Sequence, residues 1–177
     1  SPNLSCRYFT HSSEIVIWAS PAGGKGKLQH TFNYSAMKAA NGGKQMRDMW
    51  TMLTPIPVGK PSVPELTPVV PNFAGYGQGW SLSDYAGHKL VWHTGGWPGQ
   101  VSRLTLVPGK KLGVIVLTSA ELGVAFNAVT YKALDMMLGR GGNDWLQAYA
   151  ASYTKSQADA DTSWKKHQDA RAANSTP

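Results

Sequence analysis

The chain has 177 residues, enough for one globular domain, and 42% of them are hydrophobic while 15% are charged. This balance is typical of a folded protein rather than of a disordered one, and no apolar run is long enough to cross a bilayer. The formal net charge is +7, but the 17 lysines and arginines are scattered along the chain without a basic block. We therefore predict a basic, solvated surface and no nucleic-acid partner; salt-sensitive retention on oligonucleotides would contradict that prediction.

The amino-terminal third has few clear patterns. Residues 14–19 predict a short buried strand. Residues 31–40 predict a short helix that ends at a pair of glycines, and residues 46–52 predict another helical turn. Six of the 11 prolines lie between residues 55 and 71, which predicts an extended surface loop because proline fits neither a helix interior nor a central strand.

The centre of the chain is rich in β-branched and aromatic residues. Four strand-like runs, at residues 76–82, 89–93, 100–107 and 112–119, are separated by short turns, which predicts an antiparallel meander. In the third run Arg103 alternates with apolar positions, so we expect it to be a solvated charge on a wet face. The fourth run is apolar on both faces and is expected to be central and covered.

Two helices are predicted after the strands. Apolar residues recur every three or four positions over residues 123–138, which favours a helix packed on the sheet. A second helix is predicted to begin with Asn143 as its N-cap, and its apolar stripe ends near Ser156. We expect the residues beyond that point to add little to the core and residues 172–177 to be a linker.

These elements predict an α/β fold of the α+β type, in which an antiparallel sheet is flanked by helices. Residues 1–139 are expected to form the carboxy-terminal portion of a larger domain. Residues 140–177 are expected to form a helical extension and a linker. No metal site or cofactor is predicted. His88 and His93 are an odd number of positions apart on one strand and so face opposite sides, and no other cluster has the spacing of metal ligands.

The most informative stretch leaves a strand through small residues: His93, Thr94, Gly95 and Gly96, followed by Trp97. Adjacent glycines let a ligand approach the backbone closely, and N–H groups exposed there can stabilise an oxyanion. Thr94 offers a hydroxyl and His93 a titratable ring. Trp97 is a candidate for lining a substrate pocket. Taken without its context, His93 would be an ordinary histidine at a strand end.

His-Thr-Gly-Gly resembles the Lys-Thr-Gly motif on the active-site strand of serine β-lactamases and penicillin-binding proteins. Related esterases and peptidases often have histidine in place of the lysine. The resemblance extends, in order, through residues 49–57, 73–80 and the strand pair at 101–118, and covers about residues 46–139. It implies a serine hydrolase of that superfamily, acting on a small-molecule or peptide acyl substrate, and a bacterial periplasmic or secreted location.

The resemblance also assigns roles. In the family a Ser-x-x-Lys serine attacks a carbonyl, a Tyr-x-Asn or Ser-x-Asn motif helps to move protons, and the Lys-Thr-Gly strand holds the substrate. Carried over to this sequence, His93, Thr94 and Gly95 are the strand motif. The N–H of Gly96 then completes the oxyanion hole.

The nucleophile is where the chain departs from the family. Ser-x-x-Lys occurs at Ser35, Ser152 and Ser163. The last two follow His93, which is the wrong order, and Ser35 lies too close before it for a helical lobe to intervene. We therefore expect the remaining amino-terminal part of the enzyme to be a separate chain or to have been lost. The alternative is a non-catalytic peptide- or glycan-binding module on a relic of the same fold.

Overall fold

The structure is a computed structural model that describes residues 15–21 and 42–173. In these residues one antiparallel sheet is flanked by helices, so the predicted α+β class is confirmed. In chain order the described strands are β1 (Ile15–Pro21), β2 (Thr54–Ile56), β3 (Ala74–Tyr76), β4 (Ser81–Tyr85), β5 (His88–Trp97), β6 (Gln100–Val107) and β7 (Leu112–Thr118). The seven described strands lie side by side in the order β1-β7-β6-β5-β4-β3-β2.

The helices of the described residues are α1 (Gly42–Met49), α2 (Gly123–Met137) and α3 (Trp145–Ala173), with 3-10 turns at Pro64–Val69 and Pro108–Lys110. None of them is long and apolar enough to span a membrane. The strand predicted at residues 14–19 is confirmed as β1, and the helical turn predicted at 46–52 begins earlier, as α1. The helix predicted at residues 31–40 lies outside the described residues.

Two strands replace the single strand that was predicted at residues 76–82. The chain turns between β3 and β4, where the Gly77 N–H donates to the Trp80 carbonyl at 2.8 Å. Gly79 has a φ of +78°, which favours glycine. The prediction of a single strand is wrong because this turn interrupts the run of residues that favour β-structure.

The proline-rich stretch is more structured than the predicted loop. Pro55 lies in β2, the last strand of the described sheet, and pairs with Gly75. A proline is tolerated there because an edge strand has one side without a ladder partner. Residues Pro64–Val69 form a 3-10 helix that starts with a proline and buries Leu66 in the core.

The core lies between the sheet and the helices α2 and α3. Paired residues of an antiparallel ladder share a face, and the helix-covered face of β5, β6 and β7 carries buried aliphatic side chains. They pack with Leu134 of α2 and Trp145 of α3. The sheet residues of this core are Leu90, Val107, Leu112, Val114 and Val116.

Two predictions about the faces of the sheet are wrong. Arg103 and Thr105 lie on the buried face of β6, whereas Leu104 is half-buried on the opposite face. In β7, Val116 is fully buried but Leu117 is 50% exposed, so that strand is covered on one face only. The alternation of polar and apolar residues along a strand distinguishes its two faces but does not indicate which face the helices cover. Here α2 covers the more polar face of β6.

Helix α3 begins one residue later than predicted and extends further. The side chain of Asp144, not Asn143, caps it, since Asp144 Oδ1 accepts a hydrogen bond from the Gln147 N–H at 3.0 Å. The helix continues to Ala173, two residues into the predicted linker. Only its first two turns are buried; every described residue from Tyr153 onward is exposed.

We expect truncation after Tyr153 to leave the melting temperature nearly unchanged, because the described residues that are removed are all exposed. The matched control is Trp145→Ala, which removes a fully buried side chain of the same helix and should cost about 3–5 kcal/mol. Thermal unfolding followed by circular dichroism measures both variants. A drop of ten degrees or more on truncation would mean that the exposed part of α3 packs on another surface.

Candidate functional site

Strand β5 is longer than its neighbour β4 and leaves part of its edge open. The β4 ladder ends at Trp92, whereas the β6 ladder continues from Val91 to Trp97. Residues 93–97 therefore have β6 on one side and, within the described ranges, no strand on the other. Backbone N–H and C=O groups along a strand point alternately to its two sides, so part of this segment's hydrogen-bonding capacity faces outward. We call residues 93–97 the open edge.

The predicted motif lies in the open edge, but its side chains point in two directions. His93 pairs with Leu104 and is exposed, on the face that the helices do not cover. Thr94 pairs with Arg103 and is half-buried on the helix-covered face. The structure thus places the motif residues along one strand without bringing the imidazole and the hydroxyl onto one face. His88 faces the same side as Thr94, as its odd separation from His93 predicts.

The two glycines of the open edge have different surroundings. A Cβ at Gly95 would lie 2.8 Å from Ser102 Oγ, and the Ser102 hydroxyl donates to the Gly95 carbonyl at 3.4 Å. A Cβ at Gly96 would meet only Val101 Cγ1, at 3.9 Å. A side chain at Gly95 therefore requires the Ser102 hydroxyl to move, whereas a substitution of Gly96 tests the open edge rather than the fold.

A two-residue turn joins β5 to β6, because Trp97 pairs directly with Gln100. Proline followed by glycine suits the central positions of a type II turn, and Gly99 has a φ of +83°. The Gly99 N–H donates to Glu121 Oε1 at 2.6 Å, which ties the turn to the connection between β7 and α2. Trp97 is 77% exposed and lies on the surface beside the open edge.

Trp80 is a neighbour of the site that sequence reasoning did not assign to it. Its ring meets the His93 ring edge-on, with centroids 6.4 Å apart. Trp80 is half-buried because it sits in the turn before β4. Glu121 was also missed, since its contact with Gly99 spans 22 positions and no local pattern indicates it.

Arg103 is a buried cation on the strand next to the open edge, with only 5% of its surface exposed. Its Nε donates to Thr105 Oγ1 at 3.0 Å, and its Nη1 donates to Asn127 Oδ1. The guanidinium carbon lies 4.4 Å from the centre of the Trp92 ring and 5.7 Å from that of Tyr131. Burial lowers the pKa of the Arg103 guanidinium because its surroundings disfavour the charged form.

The structure gives no activated serine at the two carboxy-terminal Ser-x-x-Lys matches. Ser152 Oγ lies 2.7 Å from Ser62 Oγ, and Lys155, the lysine of that match, binds Asp159 at 2.6 Å. Ser163 is exposed on the projecting part of α3. Ser35 lies outside the described residues. Within the described ranges no group of three or more His, Cys, Asp or Glu residues is placed to hold a metal ion.

Comparisons with known proteins give two partial similarities, and no protein-family model matches the chain. Fifty-one residues are 55% identical to the type II methyltransferase M2.DpnII of Streptococcus pneumoniae and to M2.LlaDCHI of Lactococcus lactis subsp. cremoris. The same number are 53% identical to M2.MboI of Moraxella bovis. Each match covers 29% of this chain, and the chain spans only 18% of the length of these curated relatives.

Among solved structures, the octameric penicillin-binding protein homologue from Pyrococcus abyssi is similar, with a TM-score of 0.45 and 26% sequence identity. The similarity covers 55% of this chain and 20% of that chain. The two comparisons therefore find similarity to two different classes of protein, each over part of the chain.

The two glycines should respond differently to the same substitution. We expect Gly96→Ala to leave the melting temperature unchanged and Gly95→Ala to lower it, at a cost of about 1 kcal/mol, because the new methyl group meets Ser102 Oγ. Adding Ser102→Ala to Gly95→Ala removes that oxygen and should restore most of the loss. Equal stability of the two single variants would show that the Ser102 hydroxyl can move away from a methyl group at residue 95 without cost.

Proposed function

We propose that the open edge is the substrate-binding strand of an acyl-transfer serine hydrolase that acts on an ester, an amide or a β-lactam. The observation that carries the proposal is that β5 extends beyond the end of its ladder with β4, and that the unpaired segment contains two adjacent glycines. An unpaired strand edge can bind an extended substrate through backbone hydrogen bonds. The resemblance of residues 93–96 to the Lys-Thr-Gly motif supports the same chemistry.

In the proposed reaction a serine hydroxyl attacks the substrate carbonyl and forms a tetrahedral oxyanion, which collapses to an acyl-enzyme and releases the leaving group; water then hydrolyses the acyl-enzyme. The Gly96 N–H donates to the oxyanion, whose charge develops in the transition state. Gly95 leaves room for the substrate, and the Thr94 hydroxyl and the His93 ring are polar groups that hold it. Trp97 borders the bound substrate.

The nucleophile and the middle motif belong, in this proposal, to a partner: the remaining part of the enzyme. Residues 1–139 contribute to the hydrolase, and residues 140–177 are an extension whose first turns complete the core. The resemblance also favours a periplasmic or secreted location. A purified natural complex that contains Ser-x-x-Lys and Tyr-x-Asn motifs would support this arrangement over a non-catalytic binding module, which would bind peptides or glycans at the same edge without turnover.

The methyltransferase similarity favours a second candidate function, a contribution to methyl transfer. Identity of 55% over 51 residues is a specific match, although it covers 18% of the relative. In this reading the chain supplies a segment of a methyl-transfer enzyme. Isothermal titration of the chain with S-adenosylmethionine distinguishes the candidates, since binding favours methyl transfer and the hydrolase proposal predicts none.

We expect the isolated chain to form no stoichiometric adduct with a fluorophosphonate or a penicillin probe, because Lys155 is paired with Asp159 and Ser163 is exposed on the projecting part of α3. Intact-mass spectrometry after incubation measures this. A stoichiometric adduct that maps to Ser35 would overturn the expectation and make the chain a complete small hydrolase.

In the natural complex that carries the nucleophile, Gly96→Val should lower turnover about 10²–10³-fold, the usual effect of losing one oxyanion donor. The Cβ position at residue 96 is open, so the fold should tolerate the change. Measuring turnover and melting temperature together separates the two roles. Unchanged turnover per folded molecule contradicts the oxyanion role.

His93→Ala tests the other end of the motif in the same complex. If the His93 ring holds a polar group of the substrate, its loss should raise KM more than it lowers kcat. Unchanged KM and kcat in the variant would show that His93 only packs against Trp80.

A further inference from the structure

We propose that α3 is a dimerisation helix, whose exposed stripe packs against the same stripe of a second copy of this chain with the two helices antiparallel. The inference is independent of the proposed function, because no residue of the open edge takes part in it. It accounts for a feature that neither the core nor the open edge explains. From Tyr153 to Ala173 the helix projects into solvent over about 30 Å, at 1.5 Å per residue.

The projecting part of α3 lacks the packing that normally keeps a helix folded. Most helical stability in proteins comes from an apolar face that packs on a neighbour, and helices that remain polar and exposed are marginal in water. The ion pair between Lys155 and Asp159 adds only a small stabilisation, because both groups are exposed. A neighbour that covers part of this segment would supply the missing packing.

Three large apolar side chains of α3 are exposed on one side of the helix. Leu146 and Tyr153 are each 42% exposed, and Trp164 is 62% exposed. Their separations of seven and eleven positions are close to two and three full turns at 3.6 residues per turn, so the three side chains form one stripe. With the residues between them on the same side, we call this set the outer stripe: Leu146, Ala150, Tyr153, Gln157, Ala160 and Trp164.

The outer stripe has the pattern of a seam between two helices. Its spacings alternate between four and three residues, as the a and d positions of a coiled coil do. Charged residues avoid the stripe: Lys155 and Asp159 lie on the far side of the helix, and Asp161 lies at the border of the stripe. A solvated face would carry these charges, so the pattern favours a partner helix with a similar apolar stripe.

A second copy of the chain offers such a stripe and fits it when the helices are antiparallel. With Ala150 opposite Ala160 of the second copy, Leu146 meets Trp164 of that copy, and Tyr153 meets its Gln157. These are the layers of an antiparallel pair, and the two-fold axis makes the interface closed.

Arg171 favours this register over the alternatives. A shift by one heptad would set Leu146 against Arg171 of the second copy and bury a cation on an apolar side chain. A parallel pair would set the two Arg171 side chains against each other, and like charges repel.

The interface is small, and the dimer is accordingly weak. In two copies the exposed parts of Leu146, Tyr153 and Trp164 amount to roughly 600 Å² of apolar surface, since a buried aromatic side chain contributes about 150–250 Å². Interfaces below about 1,200 Å² are typical of weak, reversible association. We expect a dissociation constant on the order of 10–100 µM. Below that concentration the chain is monomeric, so truncation after Tyr153 leaves the melting temperature unchanged there.

Sedimentation velocity of the full chain, from about 1 µM to about 500 µM, tests the association over a range that brackets the expected dissociation constant. Ala160→Asp and Ala158→Asp are matched variants, since both place a carboxylate on an exposed alanine of the same helix, the first on the outer stripe and the second away from it. We expect Ala160→Asp to weaken the dimer about tenfold or more, because it puts a charge in the interface, and Ala158→Asp to change it by less than about twofold.

Trp164→Ala should weaken the dimer as Ala160→Asp does, and circular dichroism of each variant checks that the helix is retained. Equal dissociation constants for the two aspartate variants would overturn the role of the outer stripe. A chain that stays monomeric up to the highest concentration overturns the proposal as a whole and leaves the proposed function of the open edge untouched.

Cysteine cross-linking tests the orientation of the two helices. Cys6, the only cysteine of the sequence, is first replaced by serine. Ala150→Cys combined with Ala160→Cys should then give a disulfide-linked dimer on mild oxidation. Neither single variant should do so, because in the antiparallel pair the two copies of residue 150 lie about 15 Å apart along the helix, too far for a disulfide. Cross-linking of the single variants would show parallel helices and overturn the antiparallel arrangement.

Discussion

The arrangement of the sheet and the helices depends on the hydrogen bonds that the buried carboxylate of Asp135 accepts. Asp135 lies on α2, is 3% exposed, and accepts hydrogen bonds from Tyr85 Oη of β4 at 2.5 Å and from Trp145 Nε1 of α3 at 2.7 Å. Arg140 Nε lies 3.5 Å from it. A buried charge is tolerated only when donors surround it. The donors to Asp135 include groups on β4 and α3, so they can satisfy the carboxylate only when β4, α2 and α3 are arranged as in the structure.

The same requirement decides which face of the sheet the helices cover. Arg103 points toward α2 because Asn127 accepts from it and the Trp92 and Tyr131 rings pack on its guanidinium. Covering the polar face of β6 leaves Leu104 and its neighbours on the other face half-buried. The side that carries His93 is therefore the less covered one, and the open edge borders it. The placement of the candidate site follows from how the core satisfies its polar groups.

The sequence predicted β1, β5, β6 and β7, the antiparallel order of the last three and the His-Thr-Gly-Gly segment, because two-residue alternation and turn residues are local signals. It did not predict β2, which lies in the proline-rich stretch. It did not predict the buried face of β6, since two of the partners of Arg103, Asn127 and Tyr131, come from a helix more than 20 positions later. It also missed the turn that divides residues 76–82 and the contact between Glu121 and Gly99, which spans 22 positions. Predictions from local sequence patterns therefore located the candidate motif but not the groups that surround it.

The open edge exists because β4 begins late, and the cause is the turn that precedes it. Gly77 packs against the backbone carbonyls of Met49 and Thr51 so closely that a Cβ there would overlap them. The Gln78 N–H donates to the Met49 carbonyl at 3.2 Å, which holds the turn to the end of α1. The chain thus enters β4 only at Ser81, and Trp80 is left beside His93 instead of extending the ladder. A glycine 16 positions before the motif accordingly determines whether β5 has a free edge.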